Sequence, residues 1–142
     1  MNQREIPREL RERVAGAIIS VAERNFRSIT PEERERFFEG LTDEYGEPIV
    51  FGNDDCGLRQ LQIFNRPDVY LLRLGIPAGA ATNGCIEKGK RWLNETAEEL
   101  EFVAACFGRK WLPFVLVITK LGPDGRPVEF IDKRVLTRGR GD

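Results

Sequence analysis

The stretch Trp111–Arg134, WLPFVLVITKLGPDGRPVEFIDKR, constrains the fold more than any other part of the chain. Phe114, Val115, Leu116, Val117 and Ile118 form an unbroken apolar run rich in β-branched and aromatic side chains, which predicts a central strand covered on both faces. In the segment Gly122-Pro123-Asp124-Gly125-Arg126-Pro127, two prolines set φ and two glycines tolerate positive φ, so the chain is expected to reverse there. The return segment Val128–Val135 interleaves Glu129, Asp132, Lys133 and Arg134 with Phe130 and Ile131, the composition of a strand with one edge or face toward water or a partner. An uncovered FVLVI run would be prone to aggregate, so the remaining residues must supply its cover.

A chain of 142 residues is long enough for one independent core, and 41% hydrophobic with 32% charged residues is a globular balance. One domain over residues 1–142 is expected, with 137–142 as a mobile tail. No apolar run approaches the roughly 20 residues that cross a bilayer, so no membrane association is expected. The opening residues MNQREIPREL lack an apolar signal core, which makes the cytoplasm the expected compartment. Cys56, Cys85 and Cys106 are an odd, irregularly spaced set, which fits reduced thiols better than a disulfide framework.

The chain contains no histidine. That removes Ser-His-Asp and Cys-His activation of a nucleophile, and three cysteines alone do not complete a structural zinc site. No metal and no cofactor are therefore expected, and an enzymatic role is disfavoured. Charge is split along the chain: residues 1–71 hold 10 basic against 14 acidic side chains, and residues 72–142 hold 12 against 9. The difference is small enough for ordinary solvated surfaces.

Residues 8–25 carry Leu10, Val14, Ile18 and Val21 at helical spacing, with Gly16 in the middle, where it costs about 1 kcal/mol against alanine unless something packs closely on it. Thr30-Pro31-Glu32-Glu33 is a capping-box start for a second helix running to about Phe38, with Gly40 as its stop. Phe37 and Phe38 point roughly 100° apart, so one enters the core and the other wedges against the first helix or faces a partner. Strands are expected from Pro48, then at 58–64 and 69–74, as a hairpin in which Leu61 and Ile63 alternate with Gln60 and Gln62. The acidic turn around Asn53, Asp54 and Asp55 lacks the alternating ligand spacing of a calcium loop.

Residues 75–91, GIPAGAATNGCIEKGKR, show no period and read as a glycine-rich loop. Gly84–Lys90 matches G-x-x-x-x-G-K, the pattern in which backbone amides and a lysine cradle phosphates. Arg91 stands where that pattern needs Ser or Thr, and a sheet built from hairpins lacks the parallel setting the motif requires. A looser anion site remains, formed by Lys88, Lys90 and Arg91 with Arg109 and Lys110. Cys85, in the same stretch, is the thiol best placed for a lowered pKa. A third helix is expected over 93–107, capped by Asn94 or by a second box of Thr96 and Glu99, with Cys106 as a buried small hydrophobe in its apolar end.

The expected class is α+β: an antiparallel or mixed sheet built from hairpins at about 48–74 and 111–135, with two N-terminal helices and one later helix at about 93–107 packed on it. The leading functional expectation is a non-enzymatic interaction protein, an adaptor, inhibitor or regulator that binds a protein partner and can form a homodimer. Its expected contact residues are Phe38, Glu129, Ile131, Lys133 and Arg134. The alternative is a nucleotide or other small anion bound at 84–91. Nucleic acid is a further and less favoured partner, because Trp92, Trp111, Phe114 and Phe130 are as well suited to a core as to stacking on bases.

Overall fold

The computed structural model describes residues 8–39, 49–51, 56–66, 69–80 and 82–137. Two helices, α1 (Arg8–Asn25) and α2 (Pro31–Glu39), precede the strands β1 (Ile49–Phe51), β2 (Arg59–Asn65) and β3 (Tyr70–Pro77). A short 3-10 turn at Ala78–Ala80 leads to α3 (Asn83–Phe107), and β4 (Phe114–Leu121) and β5 (Pro127–Leu136) complete the α+β domain. The five strands lie in the order β1-β2-β3-β4-β5.

Both expected hairpins form, β2 with β3 and β4 with β5. The sheet is mixed, because β3 and β4 run parallel with α3 crossing between them. The parallel β-helix-β unit that the hairpin pattern argues against is therefore present. β4 lies inside the sheet and β3 is its middle strand.

The early elements follow their local signals. Val14, Ile18 and Val21 are buried along one stripe of α1. The capping box closes as the spacing requires: the Glu33 amide donates to Thr30 Oγ1 at 3.2 Å, and the Thr30 amide donates to Glu33 Oε1 at 3.1 Å. Phe37 is fully buried, while Phe38 packs at the core margin beneath the Arg8 and Arg11 guanidiniums of α1. Gly40 and the acidic turn at 52–55 lie outside the described residues. Gly16 departs from expectation, since it is exposed and a Cβ built on it would meet no atom within 4 Å.

The largest correction concerns 75–91. Gly75 to Pro77 belong to β3, and from Asn83 onward the supposed loop is the first part of α3, which begins ten residues earlier than expected. Thr82 supplies the cap, accepting from the Cys85 amide at 3.4 Å, and Gly108 ends the helix at φ 93°. Gly89 acts here by having no side chain: its Cβ position would lie 3.4 to 3.6 Å from Ile118, Ile76 and Leu74, so α3 sits directly on β3 and β4. Thr96 caps nothing, being fully buried within the helix. Cys56 and Cys85 form a disulfide that ties the start of α3 to the segment before β2, with Cα atoms 5.4 Å apart. Cys106 is the free thiol, and it is exposed rather than buried.

Candidate functional site

Strand register decides which side chains share a face. Tyr70, Leu72, Leu74 and Ile76 of β3 line up with Phe114, Leu116 and Ile118 of β4 and with Leu61 and Ile63 of β2. All of them belong to one buried cluster with α1 residues such as Val14 and Ile18 and α3 residues such as Leu93 and Leu100. Phe37 of α2 joins the same cluster, so the three helices cover one face of the sheet. Among the described residues no helix covers the other face.

That open face is built in three registered rows. Phe64, Leu71, Val115 and Val135 form the first and are all apolar. Gln62, Arg73, Val117 and Lys133 form the second. Val50, Gln60, Gly75, Thr119 and Phe130 form the third, across all five strands. The expected cover on both faces of β4 is thus met by helices on one side only. On the open side Val117 and Leu121 are buried, and a Cβ on Gly75 would come within 2.6 Å of Leu121, which lies across it. Toward the edges the apolar side chains emerge: Phe130 is 72% exposed, Val135 48% and Val50 41%.

The charge of this face has one sign. Arg73 and Lys133 are its cations, and no carboxylate occurs in the three rows. The Arg73 guanidinium donates to Gln62 Oε1 at 3.2 Å and lies 5.4 Å from the Phe64 ring, which also carries Arg66 at 5.5 Å. Burial without a facing carboxylate holds the Arg73 pKa below the ordinary arginine value. The side chain stays cationic. A partly desolvated cation with a neutral partner gains most from a carboxylate brought to it.

The five residues expected to hold an anion are not brought together. Lys88 lies 5.8 Å from the Phe26 ring, Lys90 is half-buried and Arg91 exposed, all in the first turns of α3. Arg109, beyond the other end of the helix, bonds Glu101 at 3.0 Å and the Thr137 carbonyl at 2.6 Å, and Lys110 beside it is exposed. From Lys88 to the end of α3 is 19 residues, roughly 28 Å of helix. Cys85, the expected reactive thiol, is bonded to Cys56. Of the four aromatics weighed for stacking on bases, Trp92, Trp111 and Phe114 are buried and Phe130 alone is exposed.

The expected partner contacts divide between the two faces. Lys133 is on the open face. Glu129 pairs with Lys120 at 3.3 Å, Arg134 donates to Asn94 Oδ1 of α3 at 2.9 Å, and Ile131 packs on the core beside a register shift in β5. Phe38 lies against α1, remote from the sheet's open side. Sequence reasoning missed Arg73, Leu71 and Val115, because an apolar run such as FVLVI conceals its alternation until neighbouring strands assign the faces. At the opposite edge, Arg27 Nη2 donates to the Val50 carbonyl of the short β1 at 2.7 Å.

Among the described residues no cluster of His, Cys, Asp and Glu could hold a metal ion, and no helix is long and apolar enough to cross a membrane. Comparison of the chain with protein-family models, curated proteins and solved structures finds no match.

Proposed function

We propose that this chain is a non-enzymatic protein-binding domain, acting as an adaptor, inhibitor or regulator, and that it takes an apolar, acidic segment of a partner protein onto the open face of its sheet. The observation that carries this is the row of Phe64, Leu71, Val115 and Val135 beside the row holding Arg73 and Lys133, on a face whose registered residues include no carboxylate. Apolar side chains of a partner would cover the first row and Phe130, each large side chain contributing about 1.5–3 kcal/mol when fully buried. Carboxylates would meet Arg73 and Lys133, giving the contact its orientation and its discrimination against basic segments. The cytoplasm, expected from the polar opening residues, accompanies this reading less well than an oxidising compartment, because a reducing one seldom keeps a buried disulfide such as Cys56–Cys85.

The test is selection of binders from a displayed library of random peptides, followed by measured affinities for the enriched sequences. Enriched peptides should combine Asp or Glu with apolar residues. Arg73→Gln and Phe130→Ser should each weaken them about tenfold or more, while Phe130→Ser leaves Tm nearly unchanged because its ring is largely in solvent. Enrichment of basic peptides, or of binders indifferent to both substitutions, would remove the proposal.

A further inference from the structure

β5 forms one edge of the sheet, and the hydrogen-bonding parity of the strands decides which of its main-chain groups face outward. The Tyr70 amide donates to the Pro113 carbonyl at 3.2 Å, in a parallel ladder that sets Tyr70 beside Phe114 and Leu72 beside Leu116. The Pro113 carbonyl and the main-chain groups of Val115 and Val117 therefore turn toward β3, while those of Phe114, Leu116 and Ile118 turn toward Leu136, Arg134 and Asp132 of β5. Lys133 and Val135, which alternate with these three, direct both N–H and C=O away from β4. A separate contact agrees, since the Lys133 amide donates to Asp132 Oδ1 at 2.8 Å, outside the ladder.

The outward groups form a bounded window. Asp132 covers the Lys133 amide at one end, and Arg109 donates to the Thr137 carbonyl at 2.6 Å at the other. Between them the Lys133 carbonyl and the N–H and C=O of Val135 have no partner among the described residues. The pairing of 132–136 with 114–118 is unbroken and lies clear of both register shifts, so these groups keep the spacing of a ladder. Glu129 is committed to Lys120, Arg134 to Asn94 and Asp132 to the main chain, whereas Lys133 has no anionic partner among the described residues. The other edge offers less, as β1 has three residues and its Val50 carbonyl is held by Arg27.

We infer that β5 is a docking edge for an extended segment of a partner protein, which adds to the sheet beside 132–136 with a carboxylate next to Lys133 and an apolar side chain next to Val135. A strand laid there in either direction alternates its side chains. The two that flank Lys133 and Val135 then both fall on the open side and are two positions apart in the partner's sequence. The main chain supplies the attachment, and Lys133 selects the partner. A second copy of β5 fits less well, because the rows of the open side hold no carboxylate to meet Lys133. This contact goes beyond the reading of the open face: that reading turns on Arg73, two strands in from β5 and roughly 14 Å from an added strand.

The probe is a capped seven-residue peptide in which threonines alternate with Val, Glu and Val, so that an apolar residue lies two positions from the carboxylate in both directions. NMR titration of the full chain reads its affinity and its place, and NOEs should join peptide main-chain protons to the Lys133 and Val135 amides. Val135→Pro removes an outward donor that has no ladder bond to lose, so Tm should stay near wild type while affinity falls about tenfold or more. Lys133→Glu, at an exposed position, should weaken the peptide severalfold and favour the same peptide with Lys in place of Glu. Of two peptides N-methylated at alternate residues, one along each edge, one should still bind and the other lose about tenfold or more, because only one side of an added strand meets β5. Arg73→Gln should leave the affinity within about twofold. Absence of any titration at millimolar peptide would overturn the inference, as would equal binding of both methylated peptides or binding indifferent to Val135→Pro and Lys133→Glu. NOEs to Phe64 and Leu71 with affinity lost in Arg73→Gln would overturn it too, by placing the peptide on the open face.

Discussion

Glu33 shows how much one residue's surroundings can carry. Its carboxylate receives both Arg27 guanidinium nitrogens, at 3.0 and 2.8 Å, and also caps the Thr30 amide. The hydrogen bond from Arg27 is the main cause that lowers its pKa to about 2, against the opposing effect of burial. The folded state thus holds a lower pKa than the unfolded chain, so this group contributes stability above about pH 4.5 and loses it as pH falls toward 2. Thermal melts should show Glu33→Gln below wild type by a constant margin from neutral pH down to about 5, converging below that. A margin that does not shrink between pH 4.5 and 2 would mean the pair adds nothing through its charge. The cap was legible in Thr30-Pro31-Glu32-Glu33, because its partners are three residues apart. The ion pair was not, because Arg27 reaches Glu33 only once the chain has turned between α1 and α2.

Among the elements, α3 is where local and tertiary signals part. Glycines at 84 and 89 argue against helix when read locally, so its first nine residues, 83–91, read as part of a loop. Gly89 is instead the point at which the helix rests on β3 and β4, so the contact that keeps it helical lies in strands far along the chain. The Cys56–Cys85 bond was illegible for the same reason, as it joins residues 29 apart whose approach depends on the sheet. Closing a loop of that length should stabilise the fold by about 3–4 kcal/mol through the unfolded state. Cys56→Ala with Cys85→Ala should therefore lower the stability measured in urea by up to that amount. Both sulfur-bearing residues are nearly inaccessible, at 6% and 3%, so native protein should resist mild reductant and react only as it opens. Rapid thiol labelling of folded protein under mild reductant would contradict this.

For the whole molecule, the α+β class and its hairpins were readable from the alternation in 58–74 and from the turn at 122–127, both short-range patterns. The candidate face was not, since it exists only once β3 and β4 lie parallel and put Arg73 beside Val117. One layer of helices on one face also sets a gradient of stability across the sheet. β3 and β4 have neighbours on both sides, whereas β5 is an edge strand with eight of its ten residues exposed and two irregularities in its register. Native-state hydrogen exchange should find the Leu72–Leu74 and Leu116–Ile118 amides exchanging only through global unfolding, and those of Phe130–Val135 through a cheaper local opening. Because Phe130, Lys133 and Val135 belong to the proposed binding face, an acidic apolar peptide bound there should slow β5 exchange by the factor 1 + [L]/Kd, provided the open strand does not bind it. The slowing should approach a hundredfold at one hundred times Kd and fall to about tenfold or less in Arg73→Gln at the same peptide concentration. Bound peptide that protects the helices and leaves β5 exchanging as before would place the binding surface elsewhere on the molecule.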